Sequence, residues 1–436
     1  MKSNCIKDLK KYFDKDVIVQ GFVDSIRDLQ YVQFVILRDG NDKVQMTIEK
    51  EGNEKLVEIV SNLTLESTIK VTGKLLESPK VKLNGMELIP TIIEVTSTSL
   101  SELPIDIKKM DNALRETRLD YRFLDLRNEK NNLFFKCQTT VLNAMRNYWY
   151  ENGFIEINTP KICAQAAESG AEVFKLDYFG QKACLSQSPQ FYKQMCMASG
   201  FSKVFEIGPA FRAENSHTSY HATEIEMVDA EISWIDSVDD VMAMQEAWTK
   251  NYMNKLKEVH GEEIKKLFNL EVSDVSNSFP KIELASAKQI IKEKYNYVSD
   301  KVDDLDRKEE ELICKYAKEK YKSDFVFITK WPFSSRPFYH MKDSEGYSMS
   351  YDLLFKGLEI TTGAQREHRV DILEKQIIEK GIDPKELQFY IDFFKCGCPP
   401  HGGFGFGLSR VMMQIFEIDN IREATLIYRG PTRLNP

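Results

Sequence analysis

Apolar and polar residues alternate with a period near two through the first hundred positions. The runs VIVQGFVDSI, VQFVILRDG, KVQMTIEK, STIKVTGKLL and GMELIPTIIEVTS are rich in β-branched residues, and turns at Asp39-Gly40-Asn41 and Asn84-Gly85 punctuate them. Short strands so spaced predict a small closed β-barrel over residues 1–104. After the polar stretch from Ser97 to Pro104 the period changes: LRETRLDYRFLDLR reads as helical, and 105–130 as a hinge. From 131 onward, Phe134, Phe135, Val141, Leu142, Met145 and Trp149 recur at helical spacing. Asn152-Gly153 stops that helix, and Phe154-Ile155-Glu156-Ile157 reads as a strand closing at Pro160.

Two later stretches join regular structure to chemistry. VFEIGPAF and IEMVDAEISWI predict the arms of a long hairpin around a polar turn holding Asn215, Ser216, Thr218 and Ser219. Arg212 and Glu214 open the stretch and Glu231 closes it. A planar, permanently charged guanidinium suits an α-phosphate, and the same segment can offer an acceptor to an adenine amino group. Near the C terminus, HGGFGFGLSRVMMQIFEIDN places Gly402, Gly403, Gly405 and Gly407 ahead of a helix in which Val411, Met412, Ile415 and Phe416 share a face. Arg410, in the first turn of that helix, suits β- and γ-phosphates or a purine ring. Neither stretch matches the GxxxxGK[ST] loop or the dinucleotide GxGxxG motif. Each alone is equally a surface hairpin, a packed glycine strand or a core helix, so the residues by themselves lead to a nucleotide-binding α/β enzyme and no further.

Composition narrows the setting. At 436 residues the chain is long enough for two or three domains with separate cores. No apolar run approaches eighteen residues and the N-terminal MKSNCIKDLKKYFDKD lacks a secretory core, so a cytoplasmic protein with no membrane partner is expected. The eight cysteines are scattered; only Cys396 and Cys398 are close, without a second cluster, which favours reduced thiols over zinc or disulfides. The net charge of −8 weighs mildly against a nucleic-acid partner, although phosphate backbones are met by local patches and not by the average charge.

Taken in order, the stretches at about 131–160, 204–234 and 401–420 resemble motifs 1, 2 and 3 of class II aminoacyl-tRNA synthetases. ESGAEVFKLDYF, QSPQFYKQM, RPFYHM, SYDLLFKGLEITTGAQREH and RGPTRLNP resemble the aspartyl branch of subclass IIb in its archaeal-length form, over essentially the whole chain. The resemblance implies an α+β protein: an N-terminal OB-fold β-barrel that binds the anticodon, then a class II catalytic domain over 131–436. That domain is an antiparallel sheet with flanking helices and a helical insertion at about 240–325. It implies a homodimer built through motif 1, with ATP, L-aspartate and tRNA-Asp as partners and tRNA-Asn left open as a second acceptor. The alternatives are an asparaginyl-tRNA synthetase and a catalytically silent nucleic-acid-binding paralogue.

Residue by residue, the resemblance assigns catalysis to Arg212, Arg410 and Glu359. It assigns ATP to Arg212, Ala213, Glu214, Tyr220, His221, Ala222, Glu359, Gly407, Leu408, Ser409 and Arg410. Aspartate falls to Glu168, Gln190, Phe191, Tyr192, Lys193, Arg212, Asp352, Thr362 and Arg366. Lys193 stands where asparagine-specific relatives carry a neutral residue; a buried ammonium pairs with a carboxylate and leaves an amide poorly satisfied. Glu359 and Thr362 would hold Mg²⁺, which takes oxygen ligands and keeps water and phosphate oxygens. On the barrel, Phe34 would stack on an anticodon base while Arg27 and Gln45 read base edges, and Asp24 and Lys82 fall near the third anticodon base. One position departs from the pattern: the family has a basic residue just before His221, and this chain has Tyr220.

Overall fold

The computed structural model describes residues 3–164, 172–216 and 218–436, and the chain separates into two units, 1–133 and 134–436. In the first, the alternating runs become β1 (Asp16–Asp28), β2 (Val32–Asp39), β3 (Asp42–Glu49), β4 (Thr68–Glu77) and β5 (Met86–Ser97), with helix α1 (Glu54–Ser61) between β3 and β4. β1 pairs with both β2 and β4, and β3 runs parallel to β5, which closes a barrel in the order β1-β2-β3-β5-β4. Val17, Val19, Val23, Val35, Leu37, Val44, Met46, Val71 and Leu88 fill it, one from every second strand position. Gly73 sits at a register shift where a Cβ would lie 2.2 Å from the Ile89 carbonyl oxygen, so the tight approach of β4 to β5 requires glycine.

With Val35 and Leu37 inside, Phe34 lies half-buried on the outer face, opposite Arg27 on β1 and Thr47 on β3. The Gln45 Nε2 donates to Thr47 Oγ1 at 3.4 Å, so Arg27, Phe34 and Gln45 share one outer patch. Asp24 departs from the expected base-facing position. It is 8% exposed, and Arg38, Lys43 and Lys108 hold its carboxylate at 3.2, 3.6 and 3.1 Å. Lys82 is exposed in the β4–β5 connection. Residues 105–130 are not a free hinge. They carry α2 (Arg115–Asp120) and α3 (Arg122–Asp125) and group with the barrel, tied by Arg127–Glu66 at 3.1 Å and Lys43–Glu129 at 2.7 Å.

The second unit takes in α4 (Glu129–Glu151) from Phe134 on, then β6 (Ile155–Glu156), β7 (Ile162–Cys163), β8 (Lys175–Tyr178), β9 (Gln181–Leu185), α5 (Gln190–Ala198), β10 (Lys203–Phe211), β11 (Glu224–Ser233) and α6 (Val238–Phe268). It continues β12 (Lys281–Glu283), α7 (Leu284–Tyr295), α8 (Arg307–Tyr321), β13 (Phe325–Pro332), β14 (Tyr347–Phe355), β15 (Leu358–Gln365), α9 (Val370–Glu379), α10 (Gln388–Lys395), β16 (His401–Gly407) and α11 (Leu408–Phe416). Eight strands form one sheet in the order β12-β13-β14-β15-β16-β11-β10-β6, antiparallel except at its two ends.

One sheet face is sealed by aromatic packing: Trp149 of α4 stacks on Trp248 of α6 at 4.7 Å, and Trp248 meets Phe404 and Phe406 of β16 at 5.5 and 5.0 Å. The region 240–325 is therefore more than a helical insertion. α6 covers the sheet, with Gln245 bonded to Thr361 and Tyr351 at 2.8 and 2.7 Å, and β12 adds the edge strand beside β13. Among the described residues no helix is long and apolar enough to cross a membrane, and all eight cysteines are free thiols.

Candidate active site

Strand alternation directs Val228, Ala230, Phe404 and Phe406 into the sealed face, and so turns Met227, Asp229, Gly405 and Gly407 the other way. There they line a cavity of about 370 Å³ with residues from the hairpin loop, β15 and the start of α11. Glu359 and Thr362, three apart, would face opposite sides of a regular strand. A register shift between their pairings with β14 brings both to the cavity, where Thr362 Oγ1 donates to Glu359 Oε1 at 2.9 Å.

At one end lies a group of four buried charges. Lys193 of α5 has no exposed surface. Its Nζ donates to Asp229 Oδ1 at 2.8 Å and to the Phe404 carbonyl at 3.1 Å, and stands 3.5 Å from Glu231. Arg366, just past β15, forks onto Glu231 at 2.9 and 3.3 Å and donates to the Gly403 carbonyl at 3.0 Å. Burial pushes the Asp229 carboxyl up, only partly offset by Lys193. For Glu231 burial also pushes up, but Arg366 and Lys193 together outweigh it and hold the carboxyl below its ordinary value. Among the described residues Asp229 Oδ2 has no hydrogen-bond partner. A Cβ on Gly403 would fall 2.3 Å from Glu231 Oε2 and 2.0 Å from the Ala230 carbonyl, so this glycine makes room for the charge cluster. Behind it, Gln190 donates to Gln194, which also bonds Tyr390 and His401. His401 Nδ1 sits 2.8 Å from the Pro399 carbonyl, which makes it the donor. Burial takes its pKa down to about 4, so the ring is neutral.

At the other end stand Arg212, Glu214, Tyr220, His221, Ala222, Ser409 and Arg410. Arg410 Nη1 donates to the Glu359 carbonyl at 3.1 Å and approaches its carboxylate at 3.7 Å. Burial first, then Arg410, lowers the His221 pKa, and Thr218 is hydrogen-bonded to its Nδ1. Glu310 of α8 accepts from the Glu359 backbone N–H at 3.2 Å; burial and the Glu359 charge push its carboxyl up to about 7.

Several expected ligand residues sit elsewhere. Phe191 packs on Tyr390 at 4.6 Å in an apolar cluster and Tyr192 is outside the cavity lining, because on a helix only Gln190 and the 193/194 pair share the inner face. Leu408 is core, and Ala213 is tied through its backbone N–H to the Glu172 carbonyl. Lys193 lies beneath the lining and not in it. Asp352 is bound bidentately by Arg336 at 3.0 and 2.6 Å; it is Arg336 that lines the cavity. Burial, with Glu359 nearby and Arg336 opposing, pushes Asp352 up to about 6. Glu168 lies outside the described residues. Asp229, Arg336, His340 and Gln187 were not singled out from the sequence. Only Asp229 left a signal there, two positions before Glu231 on an alternating strand.

A sheet of this order, a motif hairpin and a glycine strand entering an arginine-bearing helix define the class II synthetase catalytic fold. The family model for class II tRNA synthetases (D, K and N) matches residues 114–428, and that for the OB-fold nucleic acid binding domain matches 17–96. The aspartate–tRNA(Asp) ligase of Pyrococcus horikoshii is 41% identical over 97% of this chain and 96% of its own. The aspartate–tRNA(Asp/Asn) ligase of Aeropyrum pernix is 44% identical over 81% and 80%. Asparaginyl-tRNA synthetase from P. horikoshii, solved with asparaginyl-adenylate, superposes with a TM-score of 0.92 at 30% identity, covering both chains fully. The chain belongs to the class II tRNA synthetases and, within them, to the aspartate–tRNA ligase family.

Proposed function

We propose that the cavity activates L-aspartate with ATP and transfers it to the 3′ end of tRNA-Asp. The observation that carries this reading is the buried Lys193–Asp229–Glu231–Arg366 group at one end of a cavity whose other end presents Arg212 and Arg410. The side-chain carboxylate of aspartate lies against Arg366, which lines the cavity, with the Lys193 ammonium directly beneath, and its own ammonium meets Asp229, with Gln190 completing the polar shell. The α-carboxylate then attacks the α-phosphorus in line and pyrophosphate leaves; next the terminal tRNA hydroxyl attacks the activated carbonyl and AMP leaves. No protein nucleophile takes part. The chain positions the reactants and spreads positive charge from Arg212 and Arg410 over the phosphates.

Among the described residues no three acidic, histidine or cysteine side chains converge on a metal. The Glu359 carboxylate and Thr362 hydroxyl, with Asp352 alongside, nevertheless fit an ion that takes one or two protein oxygens and completes its shell from water and ATP. Mg²⁺ held there would neutralise phosphate charge. The Arg27–Phe34–Gln45 patch would read the anticodon, two copies would associate through the motif 1 helix, and the enzyme would work in the cytoplasm beside its tRNA.

A second acceptor, tRNA-Asn, is favoured by the Aeropyrum relative's double specificity. Asparagine as the amino acid is disfavoured by Lys193, whose buried charge an amide leaves unpaired. Aminoacylation of separate tRNA-Asp and tRNA-Asn transcripts with labelled aspartate and asparagine tests both points. Charging with asparagine, or no charging with aspartate, overturns the reading.

A further inference from the structure

Tyr220 brings no charge to the nucleotide end of the cavity, and the neutral His221 beside it brings none either. Glu214 and Glu359 line the same end, so among the described residues there Arg212 and Arg410 carry the positive charge that meets an ATP tetra-anion. One more guanidinium is close. Arg307 opens α8, whose start is locked by a capping box in which Asp306 accepts from Glu309 N at 2.7 Å and Glu309 accepts from Asp306 N at 3.0 Å. A cation in the first turn faces the positive end of the helix dipole, a cost that its pairs with Glu310 and Glu311 three and four residues on offset only weakly. The Arg307 guanidinium lies 4.7 Å above the Tyr220 ring, and its Nη1 is 3.1 Å from Glu310, the carboxylate that also accepts from Glu359 N. Its Nε is buried and stands 4.0 Å from Glu311, while about one-third of the side chain is exposed, so the fork is held from its α8 side and part of it stays open to an incoming anion.

We propose that Arg307, seated on Tyr220 and steered by Glu310, is a further phosphate-binding residue of this site and meets the pyrophosphate portion of ATP. The inference rests on the reading of the cavity as an ATP-dependent activation site. Tyr220 then has the role of a platform that aims a cation delivered from α8.

Calorimetric titration of the full-length protein with ATP and with AMP decides it, since AMP lacks the β- and γ-phosphates. Arg307→Ala should lose ATP affinity about tenfold with AMP affinity unchanged, the effect of one partly exposed charge-assisted contact. Arg307→Lys should recover part of the loss, Tyr220→Ala should lose ATP affinity in the same direction as Arg307→Ala, and Tyr220→Phe, which keeps the ring under the guanidinium, should lose less than Tyr220→Ala. Arg307→Gln keeps the stem if the alanine variant proves unstable. ATP affinity within twofold of wild type in Arg307→Gln or Arg307→Ala, or equal losses for ATP and AMP, overturns the assignment. Aspartate-dependent ATP–pyrophosphate exchange by the wild type is read separately: its absence removes the functional reading and leaves the calorimetric result for Arg307 standing.

Discussion

Replacing Lys193 by methionine keeps an unbranched side chain of similar volume, one atom shorter, but removes a fully buried ammonium that sits within 3.5 Å of two carboxylates. Asp229 and Glu231 would then share Arg366 alone, and Arg366 is already spent on Glu231 at 2.9 Å. Breaking a buried ion pair from one side costs about 3–5 kcal/mol, because the remaining charge is left without compensation. Asp229→Asn removes that remaining charge, so the double variant should recover about 2 kcal/mol or more relative to the sum of the single changes. All four tryptophans lie in the second unit, so urea unfolding followed by tryptophan fluorescence reports on the catalytic unit.

Pyrophosphate exchange gives the functional half of the same experiment. The wild type should prefer aspartate over asparagine by about 30-fold to several thousandfold, equivalent to roughly 2–5 kcal/mol. Lys193→Met should lose aspartate activation by more than it loses ATP binding. It gains no asparagine activity, since deleting a charge does not build the donor and acceptor an amide needs. An unfolding midpoint for Lys193→Met that matches wild type, no coupling to Asp229→Asn, or unchanged aspartate kinetics would refute the argument from buried charge.

Arg212→Ala and Arg410→Ala should each lower pyrophosphate exchange by about a hundredfold or more with circular dichroism unchanged; near-normal exchange in either removes it from the phosphate site. Glu359→Gln should raise the magnesium concentration giving half-maximal exchange, and an unmoved midpoint with unchanged activity would end its role as a ligand. Gly403→Ala should destabilise the second unit by about 3 kcal/mol or more and impair aspartate activation, because the new methyl meets the Ala230 carbonyl and Glu231; a thermal midpoint like wild type would contradict this. Buried His401 titrates at about 4 against 6.5 when exposed, so the unfolded chain takes up the proton first. Stability present above pH 6.5 is therefore lost as pH falls toward 4, by about 3 kcal/mol from this group. In His401→Gln the slope of unfolding free energy against pH in that window should flatten by up to about 1.4 kcal/mol per pH unit, and an unaltered slope would show that the ring is not buried neutral.

The features readable along the chain are those set by local periodicity. Alternation in the first hundred residues produces a barrel with Val35 and Leu37 inside and Phe34 outside. In HGGFGFG, Phe404 and Phe406 go to the Trp248 side and leave Gly405 and Gly407 for the cavity. Arg212 and Arg410 were visible because a turn and a helix start position them through their immediate neighbours. What could not be read is which charge meets which. Lys193 finds Asp229 across 36 residues, Arg366 finds Glu231 across 135, and Arg336 takes the Asp352 carboxylate across 16. A single register shift opposite β14 turns Glu359 to the side of Thr362, and nothing in LEITTG announces it. Segment 105–130, polar enough to read as a hinge, is instead bound to the barrel by ion pairs. Backbone periodicity follows from the dihedrals of neighbouring residues. The partner of a buried charge follows from distant strands stacked in register, and the cost of leaving that charge unpaired is met only once they have come together.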